Sequence, residues 1–327
     1  VGSEMCIRDR TYTFTPTATE VIYGNTWQIG NLTASFSARS NHILLSYNDG
    51  TGEKLWIIGG NDGTNFLNDV WNSSNGTDWN AVTLNAGFVG REGHTGVVFN
   101  DGTGNKMWVI GGHDLSNYYN DVWYSNNGVD WYAATQNAGF SPRYGHVSFV
   151  YNNQIWVIGG YNGSSGFLSD VWYSNNGVDW YAATQNAEFS KRYDASGFVF
   201  NNKMWIVGGY NGTVFLNDVW SSVDGITWTK EIDAPFTRRA GHALLVINDK
   251  IYLVAGFDAT NVVKSDIWVS SDGIIWNIVN AYAPFPPRYA HSCAFFNNRL
   301  WVIAGADEGN NRKNDIWLAP IHISEPT

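Results

Sequence analysis

The chain has 327 residues, a formal net charge of -10 and 16% aromatic side chains. That length suits one large domain or two ordinary ones, and the aromatics supply ample area for a packed core. The acidic balance excludes nucleic acid as a partner, because phosphate binding needs a surplus of Lys and Arg, and no apolar run approaches the roughly 20 residues of a membrane-spanning helix.

At the N-terminus VGSEMCIRDR (1–10) shares nothing with the rest of the chain, and neither does IHISEPT (321–327) at the other end. Glu4–Arg10 resembles a translated transposase adapter of the kind used in sequencing libraries, and the C-terminal run resembles a translation of its opposite strand. Both are read as non-native flanks of an environmental reading frame, which leaves 11–320 as the native domain. Cys6 falls in the first flank, so Cys293 stands alone: it has no disulfide partner and belongs to no metal-binding cysteine cluster.

The segment TATEVIYGNTW ends on Trp27, three residues after a turn Gly, and from there the chain is a tandem repeat. The run Trp-(Val/Ile)-(Ile/Val)-Gly-Gly ends at Gly60, Gly112, Gly160 and Gly209, and looser forms end at Gly256 and Gly305, at intervals of 52, 48, 49, 47 and 49 residues. Asp-(Val/Ile)-Trp recurs at Trp71, Trp123, Trp172, Trp220, Trp268 and Trp317. A Trp three residues after a turn Gly recurs at Trp27, Trp79, Trp131, Trp180, Trp228 and Trp276. One stretch, DVWYSNNGVDWYAATQNA, occurs letter for letter at Asp121–Ala138 and at Asp170–Ala187, the mark of a recent duplication.

Each unit is predicted as four short strands. In the second unit these are HTGVVFN, KMWVIGG, DVWYS and VDWYAA, rich in β-branched and aromatic residues and bounded by Asn, Gly, Asp and Ser. Between strands three and four stand Asn127-Gly128, Asn176-Gly177, Asp224-Gly225 and Asp272-Gly273. As two-residue loops these pairs accept φ > 0 at both turn positions. A loop of that length puts Trp123 and Trp131 on opposite faces, offering one indole to the neighbouring unit on either side. The second Gly of the doublet is present in all six units, whereas the first is replaced by Ala255 and Ala304. The first position therefore accommodates a Cβ, and the second requires a positive φ or the absence of a side chain.

Four-strand units of about 50 residues, with a diglycine closing strand two and a Trp in strand four, resemble kelch repeats, over residues 24 to 318. The resemblance implies an all-β, six-bladed propeller with four antiparallel strands per blade. The chain opens on a fourth strand around Trp27 and closes on a third around Trp317, so the N-terminal strand is expected to complete the blade of residues 291–318. Thr19 stands where a third-strand Trp would fall, so no further unit is expected upstream.

In such a blade the 4–1 and 2–3 loops share one face, and binding residues favour loops on a rigid frame. Each 4–1 loop carries Phe-x-x-Arg, which makes Arg39, Arg91, Arg143, Arg192, Arg239 and Arg288 a candidate ring around the channel mouth, suited to carboxylate or sulfate ligands. A residue present in every blade also has a structural reading, here bridging to a neighbouring blade's loop carbonyls or Asp. The residues three further on (His42, His94, His146, Ala195, His242 and His291) follow the repeat period and not a metal-ligand spacing, and the Asp of each Asp-(Val/Ile)-Trp is expected to bond to backbone. Repeat-breaking residues are better ligand candidates: Tyr144, Tyr193 and Tyr289 after the Arg, with Glu92 and Asp194, and His113, Tyr161 and Tyr210 at the start of the 2–3 loops. Tyr offers an apolar ring with a polar tip.

Two enzymatic branches resemble this architecture. The copper-dependent galactose oxidases need a cross-linked Tyr–Cys pair, and Cys293 lies within an inner strand without a ligand set. The sialic acid mutarotases pair Arg with an acid, for which Glu92, Glu188 or Asp194 are available. The leading expectation is a non-catalytic, cofactor-free and metal-free binding or scaffold propeller, a monomer recognising a protein or glycan, because near-identical blades multiply a surface whereas catalysis needs unlike residues in unlike roles. A surface rich in Asn, Gly, Ser and Thr and poor in Lys fits an exported protein.

Overall fold

The computed structural model describes residues 27–260 and 262–320; both flanking segments, 1–10 and 321–327, lie outside them. The chain forms six antiparallel sheets arranged as propeller blades. Strand β1 (Gln28–Asn31) comes first. Blade one follows, β2 (Ile43–Asn48), β3 (Glu53–Asn61), β4 (Phe66–Ser73) and β5 (Asn80–Thr83). Blade two is β6 (Thr95–Asn100), β7 (Asn105–His113), β8 (Tyr118–Ser125) and β9 (Tyr132–Thr135). Blade three is β10 (Val147–Tyr151), β11 (Gln154–Tyr161), β12 (Phe167–Ser174) and β13 (Tyr181–Thr184). Blade four is β14 (Ser196–Phe200), β15 (Lys203–Tyr210), β16 (Phe215–Ser222) and β17 (Thr229–Asp233). Blade five has a two-residue β18 (Arg239–Ala240) before β19 (Ala243–Ile247), β20 (Lys250–Asp258), β21 (Val263–Ser270) and β22 (Trp276–Asn280). Blade six is β23 (Ser292–Phe296), β24 (Arg299–Ala306) and β25 (Arg312–Pro320), and β1 supplies its fourth strand.

The closure is the one expected. β1 pairs antiparallel with β25, Gln28 opposite Leu318, Ile29 opposite Trp317 and Asn31 opposite Ile316. Trp27 lies edge-on to Phe285, ring centroids 4.9 Å apart, so the first part of the domain is packed into the last blade.

The core is divided among six blade–blade interfaces. Strand two of each blade is enclosed on both faces, which is why its sequence is a continuous apolar run: Met107, Trp108, Val109 and Ile110 are all buried. The tryptophans do not divide as expected. Trp123 and Trp131 both meet Phe88 edge-on, at 6.4 and 5.3 Å, on the face toward the preceding blade. Phe36 serves Trp71 and Trp79 in the same way, and Phe236 serves Trp268 and Trp276. The indole facing the next blade comes from strand two: Trp56 clusters with Met107, Val109 and Trp131 of blade two.

The reason is the turn. The chain leaves β8 at Ser125 and enters β9 only at Tyr132, so the connection is six residues long and of its Asn-Gly pair only Gly128 has positive φ, at 74°. Ser125 Oγ accepts from the Gly128 N–H, Asn127 Oδ1 accepts from the N–H groups of Val129 and Asp130, and Trp131 Nε1 donates back to the Gly128 carbonyl. A Cβ at Gly128 would lie 2.3 Å from Cζ3 of Trp56, so the glycine admits the indole of the preceding blade. Two-residue turns with φ > 0 at both positions do occur, between strands one and two: Asn152-Asn153, Asn201-Asn202, Asn248-Asp249 and Asn297-Asn298.

Both diglycine positions are left-handed. Ala255 and Ala304 hold φ of 55° and 57° at the first, while the second, such as Gly112 at φ 100°, has no room: its Cβ would fall 2.7 Å from His94 Cβ.

Candidate binding site at the channel mouth

The repeat signatures meet at one buried node in each blade. In blade three Arg143 Nη1 donates to the Gly159 carbonyl and to Asp170 Oδ1, Nη2 to Asp170 Oδ2 and Ser141 Oγ, and Nε to the Ser141 carbonyl. Asp170 Oδ2 also accepts from Trp172 Nε1. The Phe140 ring lies 5.4 Å below the guanidinium. The same bidentate pairs join Arg39 to Asp69, Arg91 to Asp121, Arg192 to Asp218, Arg239 to Asp266 and Arg288 to Asp315. These aspartates take guanidinium and indole N–H groups where backbone partners were expected.

All six arginines are 0–1% exposed. Their N–H groups are committed to Asp and to carbonyls of their own blade, and none of the six lines the axial cavities. The structure thus places the arginines behind the mouth as a frame, with their charge matched. Arg143→Ala should cost about 3–5 kcal/mol, because Asp170 and the Gly159 carbonyl stay buried without their donor. Arg143→Lys should recover only part, since a point charge cannot reproduce the fork. Urea unfolding midpoints measure both, and an unchanged midpoint for Arg143→Ala would refute the framing role.

Just inside the frame the backbone closes a ring around the axis. Gly93 N donates to the Asn41 carbonyl, Gly145 N to Gly93, Asp194 N to Gly145, Gly241 N to Asp194, Ala290 N to Gly241 and Asn41 N to Ala290, at 2.8–3.2 Å. All six residues have φ between 51° and 61°, which selects Gly, Asn and Asp, with Ala290 as the exception. The histidines stand one residue further in. His94 packs against Gly59 of the preceding blade and donates from Nε2 to the Ile58 carbonyl, and His146 Nε2 is 2.7 Å from Thr95 Oγ1. Burial, reinforced by the positive Arg39, Arg143 and Arg239, drives His42, His146 and His242 down to about 3, and His94 and His291 fall well below the ordinary value for the same reasons. These imidazoles are neutral and buried; His94 and His146 bond to the preceding blade, whereas neither ring nitrogen of His42, His242 or His291 has a partner among the described residues. Among the described residues no three His, Cys, Asp or Glu side chains come together in an arrangement that holds a metal.

Above the ring, the residue after each Arg pairs with the residue that follows the second diglycine position in its blade. These pairs are Ser40 with Asn61, Glu92 with His113, Tyr144 with Tyr161, Tyr193 with Tyr210, Ala240 with Phe257 and Tyr289 with Ala306. All six non-arginine candidates, His113, Tyr144, Tyr161, Tyr193, Tyr210 and Tyr289, therefore converge on the mouth. Their half-buried rings join into an arc: His113–Tyr144 at 4.1 Å, Tyr144–Tyr193 at 5.7 Å, Tyr193–Tyr210 at 6.1 Å, Tyr210–Phe215 at 4.9 Å, Phe215–Phe257 at 5.6 Å and Phe257–Tyr289 at 5.6 Å. Phe66, Tyr118 and Phe167 stack behind it. The opening between Tyr289 and Phe66 is polar, with Arg312 donating to Asn310 and Asn61.

The acids sit on the axis side of this arc. Glu92 Oε2 accepts from Asn41 Nδ2 at 2.9 Å, and Oε1 lies 3.5 Å from His113 Nε2. Asp194 lies beside the Tyr193 ring over Gly145 and lines a cavity of about 210 Å³. Burial, with the charge of Glu92, raises its carboxyl to about 7, against an opposing pull from His113. Burial also raises the hydroxyls of Tyr144 and Tyr193. Glu188, the third acid considered, accepts from the Trp228 backbone N–H in the outer 4–1 loop. The sequence reading passed over Phe66, Tyr118, Phe167 and Phe215, although their signal was present: an aromatic opens strand three in four units.

The sequence model of the KLHDC2/KLHL20/DRC7 Kelch-repeats domain matches residues 129–305, more than half of the chain. No curated protein matches the chain. No helix among the described residues is long and apolar enough to cross a membrane. With six four-stranded blades, a left-handed Gly-Gly or Ala-Gly pair near the end of each second strand and a Trp at the start of each fourth strand, the chain belongs to the kelch-repeat propellers.

Proposed function

We propose that the protein is a non-catalytic binding propeller that takes a protein or glycan ligand on the face of the 4–1 and 2–3 loops. The observation that carries this reading is the arc of half-buried aromatic rings, contributed by successive blades, around one end of the axis. Rings held open at a concave polar mouth are the ordinary furniture of ligand sites. The Arg–Asp nodes support it by fixing every mouth loop to its own blade, so little ordering entropy is lost on binding.

The test is a glycan array and a displayed peptide library probed with the parent and two double variants. Tyr144→Ala with Tyr289→Ala should abolish the hits while moving the melting temperature little. Asn127→Ala with Asn176→Ala, on the opposite face, should keep them. The reverse pattern would place the site on the other face. Acceleration of anomer exchange of free sialic acid, lost in Asp194→Asn, would instead support the enzymatic alternative.

A further inference from the structure

The mouth carries a second, more specific signal. Asp194 occupies a ring position that is Gly in three blades, and its backbone is held there by the ring hydrogen bonds. Its carboxyl oxygens accept no hydrogen bond from any described side chain or backbone group, in contrast to every Arg-paired Asp of the frame. A Cβ at Gly145 would lie 2.6 Å from Asp194 Oδ1 and 2.9 Å from the Tyr193 ring, and one at Gly93 would lie 2.9 Å from the Tyr144 ring. The carboxylate and two aromatic walls thus stand together on the floor made by the backbone ring, with Glu92 as the neighbouring acid.

Resting on the binding reading above, we infer that this site takes a cationic side chain of a partner polypeptide, a guanidinium or ammonium group set against the Tyr144 and Tyr193 rings and paired with Asp194. Three features select that chemistry. A half-buried carboxylate without a protein donor is only partly solvated, and a cation that donates to it removes that cost. Aromatic faces attract a desolvated cation and give nothing comparable to an anion. The framing arginines, which would favour an acidic ligand, are already occupied. Arg312 stands apart in the polar opening, with its Nη groups donated to Asn310 and Asn61.

The raised Asp194 carboxyl adds a pH signature. The groups that interact with it electrostatically include Glu92, His113, Tyr144, Tyr193 and Tyr289, and Arg312 acts on Glu92 and Tyr289. Near neutrality, proton loss from Asp194 supplies the counter-charge, so affinity for a cation should rise with pH by up to about tenfold per unit below 7 and level off above it.

The probes are acetyl-Gly-Arg-Gly-amide, acetyl-Gly-Lys-Gly-amide and the citrulline counterpart of the first, titrated calorimetrically into the full chain. The cationic peptides should bind at least tenfold more tightly than the citrulline peptide. Asp194→Asn should lose that preference while keeping the parent's melting temperature at pH 8 or exceeding it, and Tyr144→Ala with Tyr193→Ala should weaken both cations. Equal affinity for the citrulline peptide, or failure of both cations to bind at 10 mM, would overturn the cation assignment. If neutral peptides or sugars then bound in a manner that depended on Tyr144 and not on Asp194, the binding face would stand without it. Cation binding that survived loss of both tyrosines would overturn the face as well.

Discussion

Deletion of the chain up to Asn31 should leave a propeller that melts far below the parent or precipitates. The deletion removes the fourth strand of blade six and with it three residue pairings to β25. It also removes Trp27, which packs against Phe285 in the blade five–blade six cluster. Losing a packed Trp costs roughly 3 kcal/mol or more, and each backbone hydrogen bond adds about 1 kcal/mol. Against a total stability of about 5–15 kcal/mol that loss is severe. Ile316, Trp317 and Leu318 would also lie on an open strand edge, which invites edge-to-edge association. Differential scanning calorimetry with light scattering reads both effects. A deletion variant that melts at the parent's temperature and stays monodisperse would show that the ring does not depend on this strand.

Mild acid should unfold the protein. His42, His94, His146, His242 and His291 are neutral in the fold, with three of them lowered from 6.5 to about 3. Their unfolded-state value is near 6.5, so the unfolded chain binds more protons below that pH. The stability they permit is complete above about 6.5 and is lost as pH falls from there toward 3. Each imidazole contributes about 1.4 kcal/mol per pH unit to that slope. Asp194 acts in the opposite sense: its carboxyl is raised from 3.8 to about 7, so folding takes up a proton across that window and cancels about one histidine. The net expectation is a plateau above pH 7 and a steep decline below 6. His242→Ala, which installs the residue that blade four carries at Ala195, should make the acid limb shallower by about 1.4 kcal/mol per pH unit. Melting temperatures that held level from pH 8 to pH 5 would contradict the burial of neutral imidazoles.

Much of the architecture is legible in the sequence, because a repeat states the same local instruction six times. The spacing of Trp-Val-Ile-Gly-Gly and Asp-Val-Trp is enough for the number of blades, the strand order and the closure by Trp27. These follow from β-branched and aromatic strand segments, turn residues, and the phase at which the chain starts and stops repeating. Position 304 likewise shows that the first diglycine site accepts a Cβ. The tertiary structure alone decided what the repeated polar residues do. Arg143 and Asp170 are 27 residues apart, and nothing in either motif says that the Arg turns to the Asp of its own blade, or that Trp172 donates to the same carboxylate. The side assigned to Trp131 failed because Ser125 and Asn127 bind the turn's own N–H groups and lengthen it to six residues, a choice made by side-chain hydrogen bonds and by the Trp56 indole pressing on Gly128. The site divides in the same way. His113, Tyr144, Tyr161, Tyr193, Tyr210 and Tyr289 stood out as departures from the repeat, but their convergence, and the unpaired Asp194 among them, exist only because six blades bring equivalent loops to one axis.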